Sequence, residues 1–575
     1  MLSCFVSLWM AAAVGQAPSG QSAWLKSVPA DVVAVVRVKS LETVRDDLLK
    51  MLEAMSPNAA ALAKPQIEQG LEMFAASQGK PATQHPFFTI FRLPKDGVPV
   101  PPFAVLVESD SYLGVLKSIS KKDDIAPKSL GGYDSFDGAD GQTWYAYKGA
   151  GFVAFGPDEA LIKAVSKPSA SLAEKISDEL KAGLLGGDIG LYVNIASIQA
   201  QYADQIEGGK QMIMGVLDQA GAQMAGNMQE SVKSMYAAMF DSLKIADALA
   251  FNLDFATEGL GISGLATVKA DSAAGKGLAS ATVGSAEKLG MLPADSSAFI
   301  YMKINPEGMS AMQKFGISFL TGSSKPSPEL EKALALQAEA GMNETYSANI
   351  SGGTVSGMES LTIATPKDPE KAVEAMIAVA KAMKSGQGFV KDVVIAPKAL
   401  IYKGFTFTST KMTLDLEKMV TPGAPGGVEG MKKMLGGDTI TAYYGTDGKT
   451  VLSVAAKTVD EAKHLVDVVL SGEGTIGKTP NFAAVRGKLP KQATALFLLS
   501  AQGLIKQSAQ QMSATLGKGD IKVPADLPKD PALLGAALVA SPKGFSFQLV
   551  VPSNVGPIFE KGLVPIIQSL TGQIQ

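Results

Sequence analysis

The sequence has very little cysteine and histidine, the side chains that most often supply metal ligands and nucleophilic chemistry. Of 575 residues, one is cysteine, Cys4, and two are histidine, His85 and His464. Cys4 lies in an apolar N-terminal segment, so a chain without that segment has no disulfide, thiol nucleophile or thiolate metal site. The two histidines lie in unrelated parts of the chain, and no Gly-x-Ser-x-Gly sequence is present. The composition therefore argues against histidine metal sites and Ser-His-Asp catalysis.

The sequence also lacks an excess of charge of either sign. It has 52 basic and 55 acidic residues, a net charge of −3 and no block of like charge, so neither nucleic acid nor an anionic membrane surface is expected as a partner. Although the mean hydropathy is +0.16, no later apolar run is long enough to cross a bilayer. We therefore expect several folded cores and no transmembrane span in the mature chain.

The first residues form an apolar segment followed by small side chains. Residues 1–14 are almost wholly apolar, and Gly15 and Ala17 lie on either side of Gln16. This pattern is typical of a secretory signal peptide, although no basic residue precedes Lys26. We predict a cleaved signal over 1–23, with an uncleaved anchor or a buried N-terminal segment as the alternative. The chain is then exported to the periplasm, the cell surface or the extracellular space.

A hydrophobic strand phrase recurs along the sequence. The first two copies begin with Val or Leu followed by Pro-Ala-Asp, and the other two are looser; they are 28–38, 292–302, 489–499 and 185–194. Self-similarity on this scale predicts a duplicated structural unit. We place the first half at 24–285 and the second half at 286–575.

The segments around these phrases show helical and hairpin patterns. Apolar residues recur at intervals of three and four after each phrase, at 41–55, 196–240, 306–320 and 502–516. Hairpins with a following helix are expected at 143–165 and 440–470, and closing hairpins at 248–268 and 534–551. The pattern predicts an α+β fold: a tandem duplication of a unit with mostly antiparallel sheets packed against helices.

These features together resemble a known group of proteins. The Pro-Ala-Asp phrase, the apolar strand with a helix after it, and the later hairpin that leads into Asp-Glu-Ala at 158–160 and 460–462 are similar to large exported bacterial proteins described only as domains of unknown function. The resemblance covers most of the chain. It implies a fold and export, and it implies no activity, cofactor or catalytic residue.

Two glycine-rich segments match nucleotide-binding patterns literally. Residues 472–479 fit Gly-x-x-x-x-Gly-Lys-Thr, in which backbone amides surround phosphates, and Lys478 and Thr479 would contact phosphate and magnesium. Pro480 follows at once and a helix is expected before the segment, so a glycine-rich loop that ends a helix is the alternative. Residues 259–264 fit Gly-x-Gly-x-x-Gly, but the strand-like alternation after them favours a hairpin turn.

Other segments offer weaker candidates for ligand binding. The loop 134–141 has three aspartates and could hold calcium, but its spacing departs from the twelve-residue calcium loop and favours a solvated turn. Four methionines lie at helical spacing in the predicted helix 196–240; they are Met224, Met228, Met235 and Met239, with Met212 and Met214 nearby. Their thioethers could bind cuprous ions or an apolar ligand, or they could form a packed core stripe.

The paired carboxylates and the second histidine do not indicate catalysis. Asp158-Glu159 and Asp460-Glu461 fall in predicted first helical turns, where negative charge favours the helix dipole. His464 lies on a predicted helix as a surface or boundary residue. The sequence thus yields no catalytic, cofactor-binding or metal-binding residue.

From these observations we expect an exported, non-enzymatic protein that acts as a binding or envelope-associated scaffold for a protein or envelope partner. The alternatives are a carrier of a lipid or another apolar ligand held near the methionine stripe, and a nucleotide-binding enzyme that uses Lys478 and Thr479.

Overall fold

The structure is a computed structural model. It describes residues 19–562 except for 79–80, 95–99, 221–232, 234–235, 238–239, 241–242, 280, 306–326, 351–358, 385–388, 421–426, 517–520, 522 and 525. The predicted helix at 306–320 and most of the predicted signal segment therefore lie outside the described residues, as does Cys4.

Helices and antiparallel strands alternate through the described chain, which confirms the α+β class. The strands are β1 (Ala34–Val38), β2 (Phe87–Phe91), β3 (Phe103–Glu108), β4 (Lys128–Ser129), β5 (Asp134–Asp137), β6 (Thr143–Lys148), β7 (Phe152–Gly156), β8 (Ile189–Asn194), β9 (Ala246–Ala256), β10 (Gly259–Val268), β11 (Ser296–Lys303), β12 (Glu344–Ile350), β13 (Glu359–Ala364), β14 (Val390–Tyr402), β15 (Phe405–Leu414), β16 (Thr439–Thr446), β17 (Val451–Ala455), β18 (Ala495–Ser500), β19 (Leu533–Ser541) and β20 (Gly544–Pro552).

The helices vary widely in length. They are α1 (Ser19–Trp24), α2 (Leu41–Met55), α3 (Pro57–Gln78), α4 (Pro81–Gln84), α5 (Tyr112–Ser120), α6 (Glu159–Ser166), α7 (Leu172–Lys175), α8 (Asp178–Leu185), α9 (Ile195–Ala220), α10 (Ala273–Ala279), α11 (Pro328–Glu339), α12 (Pro369–Lys384), α13 (Leu416–Met419), α14 (Gly427–Leu435), α15 (Val459–Ser471), α16 (Pro480–Lys488) and α17 (Ala501–Leu516). Even the longest described helices, α3 and α9, lack the continuous apolar surface that a bilayer crossing requires.

The chain forms two compact units. Unit 1 consists of Met1–Asp204, Leu243–Gly275 and Lys543–Gly556, and unit 2 consists of Gln205–Ser242, Lys276–Pro542 and Pro557–Gln575. These units differ from the predicted halves 24–285 and 286–575. Gln205–Ser242, from the predicted first half, belongs to unit 2, and β20, from the predicted second half, belongs to unit 1.

In unit 1 the strands follow the order β4-β5-β6-β7-β3-β2-β1-β8-β9-β10-β20, and each neighbouring pair is antiparallel. The strand β1 lies between β2 and β8, with Val35 opposite Ile90 on one side and Tyr192 on the other. The copies of the strand phrase at 28–38 and 185–194 therefore provide two adjacent strands of one sheet.

Helices cover both faces of the unit 1 sheet. On one face Phe88 and Leu106 pack with Leu161 and Leu184 of α6 and α8. On the other face, alternate residues of the same strands, among them Val107, pack with the residues of α5. Because successive side chains of a strand point to opposite faces, strands with both faces covered have nearly continuous apolar sequences.

In unit 2 the strands follow the order β14-β15-β16-β17-β13-β12-β11-β18-β19, again with antiparallel neighbours. Here β11 and β18 are adjacent, with Phe299 opposite Leu498. They arise from the phrase copies at 292–302 and 489–499. Position by position, the order of pairing matches that of unit 1 from β4 to β9.

The Pro-Ala-Asp residues before β1 and β11 make the same backbone contacts in their own units. In unit 1, Ala30 N donates to Ala170 O at 2.9 Å. In unit 2, Ala294 N donates to Gly474 O at 2.9 Å. Each phrase is thereby held against the segment that follows a helix, α6 in unit 1 and α15 in unit 2, and this junction forms the wall of a cleft in each unit.

Candidate functional site

The segment 472–479 does not form a phosphate-binding loop. It follows the helix α15 instead of a strand, and Gly472 ends that helix in the left-handed conformation, with φ of 68°. Thr479 caps α16, since its hydroxyl accepts a hydrogen bond from Phe482 N at 3.4 Å. The alternative of a helix-ending glycine-rich loop is confirmed.

The backbone amides of this segment are engaged within the chain. Ile476 N donates to Leu292 O at 2.8 Å, and Lys478 N donates to Thr475 O at 3.2 Å. Thr479 N donates to Ile476 O at 3.0 Å. A phosphate cradle requires amides that point at the ligand, so this loop would have to break its own hydrogen bonds to bind one.

The segment 259–264 is the first part of the strand β10, directly after the hairpin turn at 257–258, so the predicted turn lies just before it. Gly259 has a φ of 131°, a conformation that favours glycine, and the residues after it continue as a strand paired with β9 and β20. The dinucleotide pattern needs a helix at this point, so the match is a coincidence of hairpin glycines.

The segment 134–141, which contains three aspartates, forms the strand β5 and a tight turn. Asp134 accepts a hydrogen bond from the Tyr112 hydroxyl at 2.7 Å, and Asp140 Oδ1 accepts one from Gln142 N at 3.0 Å. Within the residues that the structure describes, no group of three or more acidic, histidine or cysteine side chains is arranged to hold a metal ion. The expected turn is found at 138–141, whereas 134–137 forms the strand β5.

The methionine stripe lies outside the described residues. Its members are Met224, Met228, Met235 and Met239. Of the two nearby methionines, Met212 is largely exposed on α9, and Met214 is half-buried. The predicted apolar ligand site therefore gains no support from the described part of α9.

The paired carboxylates occupy helix starts, as predicted. Asp158 caps α6 by accepting a hydrogen bond from Leu161 N at 2.7 Å. In α15, the Thr458 hydroxyl accepts from Glu461 N at 3.2 Å while the Glu461 carboxylate accepts from Thr458 N at 3.0 Å. This reciprocal capping box explains the sequence Thr-Val-Asp-Glu at that point. His464 is exposed on the next turn of the same helix, and His85 is exposed in unit 1.

An open cleft of about 960 Å³ lies beside α15 in unit 2. The Pro-Ala-Asp phrase forms one wall, α15 forms another, and the first residue of β13 lies between them. The cleft contains six carboxylates, one histidine and one lysine; these are Asp295, Glu359, Asp460, Glu461, Asp467, Glu473, His464 and Lys529. We call this site the acidic cleft.

The carboxylates of the acidic cleft act on one another. Partial burial is the main cause that raises the pKa of Glu359, and the negative charges of Glu461 and Asp295 raise this pKa further. Lys457 opposes the shift. The ionised form of Glu359 is therefore electrostatically unfavourable in the folded chain, and a positively charged ligand beside it would relieve this unfavourable energy.

The far end of the acidic cleft is fixed by the tip of the β14–β15 hairpin. The Tyr402 hydroxyl donates to both carboxylate oxygens of Asp467 at 3.0 Å, and Lys403 forms an ion pair with Asp467 at 2.6 Å. The hydrogen bond from Lys403 is the main cause that lowers the pKa of Asp467. Asp467 is thus already paired within the chain, whereas Glu359 is acted on by the negative charges of Glu461 and Asp295.

Unit 1 has a smaller cleft of about 570 Å³ at the corresponding place, beside Pro29, Ala30 and Asp31. Its charges are more nearly balanced. Asp31 forms an ion pair with Arg92 at 2.9 Å, and Lys175 Nζ donates to Ala30 O at 2.9 Å. Of the two clefts, the one in unit 2 is therefore better suited to a charged ligand.

The sequence did not indicate Glu359 and Asp295 as members of a site. The carboxylates belong to segments far apart in the sequence, and only the pairing of β13 with β17 brings Glu359 to the start of α15. One signal was present: both Pro-Ala-Asp phrases place an aspartate before a strand, and both aspartates line clefts.

Comparisons with known proteins identify no relative. No family model matches the chain. Searches of curated proteins and of solved structures found no match either. The geometry of the clefts is therefore the main guide to function.

Proposed function

We propose that this chain is an exported, non-enzymatic binding protein built from a tandem duplication of one α+β unit. The matching order of strand pairing and the matching contacts of the two Pro-Ala-Asp phrases support the duplication. The apolar N-terminal segment with small residues near its end supports export to the periplasm, the cell surface or the extracellular space. The glycine-rich segments, whose hydrogen bonds are made within the chain, support a binding role over a nucleotide-dependent one.

The binding site in this proposal is the acidic cleft of unit 2. The observation that carries it is the combination of an open volume of about 960 Å³ with carboxylates from three separate segments, Asp295, Glu359 and the start of α15. A binding surface of this charge attracts positively charged groups and rejects negatively charged ones. The proposed ligand is a peptide segment of a partner protein with lysine or arginine side chains.

The charge distribution within the cleft indicates where the ligand's lysine or arginine side chain binds. Asp467 is paired with Lys403, and the Glu461 carboxylate accepts hydrogen bonds from the backbone amides of Lys457 and Thr458. Glu359 has a raised pKa because of burial and its negatively charged neighbours. A lysine or arginine side chain near Glu359 would relieve that repulsion, so we place the main contact there.

Calorimetric titration of the full chain with a short lysine-rich peptide tests this function. A glutamate-rich peptide of the same length serves as the ligand control. We expect the lysine-rich peptide alone to bind, with an affinity that falls as salt is added. The Glu359→Gln variant should weaken binding by roughly three- to tenfold.

A matched variant separates the cleft from the general negative charge of the surface. Glu429 is exposed on α14 and does not line the cleft, so Glu429→Gln removes the same charge elsewhere in unit 2. We expect this variant to bind like the unaltered chain. Equal weakening by both variants, or equal binding of the two peptides, would rule out the acidic cleft as the site.

A further inference from the structure

The helix α1 near the N-terminus is part of the core of unit 1. Gln21 and Trp24 are each only 4% exposed, and Leu25 is fully buried. The ring of Trp24 packs edge-on against Phe88 with 5.4 Å between centroids, and it contacts Phe152 at 5.7 Å. These residues belong to the same hydrophobic cluster as the central strands.

Gln21 provides a hydrogen-bond acceptor for a buried charge. Arg37, the penultimate residue of β1, is 1% exposed. Its Nε donates to Gln21 Oε1 at 2.8 Å, and its Nη1 donates to the carbonyl oxygens of Gly186 and Gly187. Without Gln21, a charged N–H group inside unit 1 would lose its partner, and a buried charged donor without a partner is costly.

Cleavage of the predicted signal peptide at the end of the segment 1–23 would disrupt these contacts of α1. Hydrolysis after Ala23 would remove Gln21 and leave Trp24 as the first residue. Hydrolysis near Gly15 and Ala17 would leave Gln21 and the whole of α1 in place. The small residues that a leader-removing protease prefers lie at this second position.

We propose that the exported chain is cleaved on the N-terminal side of Ser19, so that α1 remains in the mature protein as the cap of unit 1. The step is the hydrolysis of one peptide bond by a leader-removing protease of the host: water supplies hydroxyl to the new carboxyl group and a proton to the new amino group. This inference rests on the export part of the proposed function. It is independent of what the acidic cleft binds.

The first test is N-terminal sequencing of the protein recovered in folded form from the envelope or the medium of the host. We expect the first residue to fall between residues 15 and 19. A first residue at position 20 or later would overturn the proposed cleavage position while export stands. A chain that still begins at Met1 would overturn the cleavage and favour an uncleaved anchor. Absence of the protein from both the envelope and the medium would overturn the export on which the proposal rests.

The second test does not depend on export. The chain is produced in the cytosol without residues 1–17, and its melting temperature is compared with those of variants at Gln21. Gln21→Ala should lower the melting temperature by about 3 °C or more, because Arg37 Nε loses its acceptor. Gln21→Glu keeps an acceptor oxygen and should recover most of that loss.

Ser22 provides the matched control for these variants. It lies next to Gln21 on α1 but is exposed, so Ser22→Ala should leave the melting temperature within about 1 °C of the parent. If Gln21→Ala behaves like Ser22→Ala, α1 is not needed for unit 1 and the cleavage proposal fails.

Discussion

The raised pKa of a single side chain, Glu359, indicates a site that no sequence pattern predicts. Its carboxyl group is partly buried at the start of β13 and faces Glu461 and Asp295, with Lys457 as the opposing charge. Nothing in the local sequence suggests this environment, because Glu359 follows a polar segment and precedes an ordinary apolar strand. The repulsion arises only when distant segments meet.

The raised pKa of Glu359 predicts a pH-dependent effect on stability. The folded chain binds this proton more tightly than the unfolded chain does, so stability increases as pH falls through the raised pKa and the gain is complete below the ordinary value of 4.5. Glu359→Gln should therefore raise the melting temperature at pH 7 and change it little at pH 4. Scanning calorimetry at both pH values measures this.

The opposite outcome would be informative. If Glu359→Gln lowers the melting temperature at pH 7, the carboxylate makes a net stabilising contact and is not held at a cost. A variant that gains stability while losing peptide binding would show the exchange of stability for function that is common at binding sites.

Two arginines, the buried Arg37 and the half-buried Arg486, have a shared role that the sequence does not reveal. In unit 1, Arg37 of β1 donates to the carbonyl of Gly186, in the loop that leads into β8. In unit 2, Arg486 of α16 donates to the carbonyl of Pro490 at 2.8 Å, in the loop that leads into β18. The corresponding loops of the two units are thus each held by an arginine side chain, which comes from a strand in unit 1 and from a helix in unit 2. Alignment of the strand phrases alone therefore does not reveal that the two arginines have the same role.

At the scale of elements, prediction succeeded where local signals were strong. The helix at 41–55 is α2, and its start is fixed by Ser40, whose hydroxyl accepts from Thr43 N at 3.0 Å. The predicted hairpins at 143–155 and 440–454 are β6–β7 and β16–β17. Periodicity and capping residues are encoded locally, which is why they could be interpreted from the sequence.

The strand β14 was not predicted, for a local reason. Pro397 and Lys398 interrupt its apolar pattern, and proline usually excludes a strand interior. The structure accommodates them with an irregular register between Ala396 and Leu400, and Lys398 has a φ of 51°. An irregularity of this kind in the outermost strand of a sheet also hinders pairing with another chain.

The capping box of α15 provides a prediction at the element scale. Thr458→Ala removes the hydroxyl that accepts from Glu461 N and should lower the free energy of unfolding by about 1 kcal/mol. Thr458→Ser keeps that acceptor and is the control. Urea denaturation followed by circular dichroism measures both, and equal stability of all three chains would show that the cap contributes nothing.

At the scale of the whole molecule, the sequence could not predict which unit receives the last strand. The pattern at 534–551 predicts a hairpin and assigns both strands to the second half. Both predicted strands are present as β19 and β20, but β20 pairs with β10, from Gly259 opposite Pro552 to Thr267 opposite Gly544, and lies in unit 1. Local patterns define a strand, whereas its partner depends on long-range packing.

This assignment predicts the effect of a C-terminal truncation on unit 1. A chain that ends at Pro542 lacks β20, so β10 loses its second partner. Trp24 and Trp144 both lie in unit 1, so their fluorescence reports that unit. We expect the truncated chain to show a fluorescence-detected melting temperature lower by about 5 °C or more. An unchanged transition would mean that β20 is dispensable for unit 1.

The acidic cleft was likewise beyond prediction, because its walls come from the 292–302 phrase, β13 and α15. The sequence correctly placed Asp460 and Glu461 at a helix start and His464 on the surface of that helix. It could not show that these residues and Glu359 line one open space, since that depends on the pairing of β13 with β17.

Hydrogen–deuterium exchange of the full chain, with and without a saturating lysine-rich peptide, tests the location of binding most directly. We expect slower exchange around Pro293–Asp295 and through the first turns of α15, with no change around the unit 1 cleft at Pro29. Unchanged exchange at the acidic cleft, or protection confined to another surface, would contradict the proposed site.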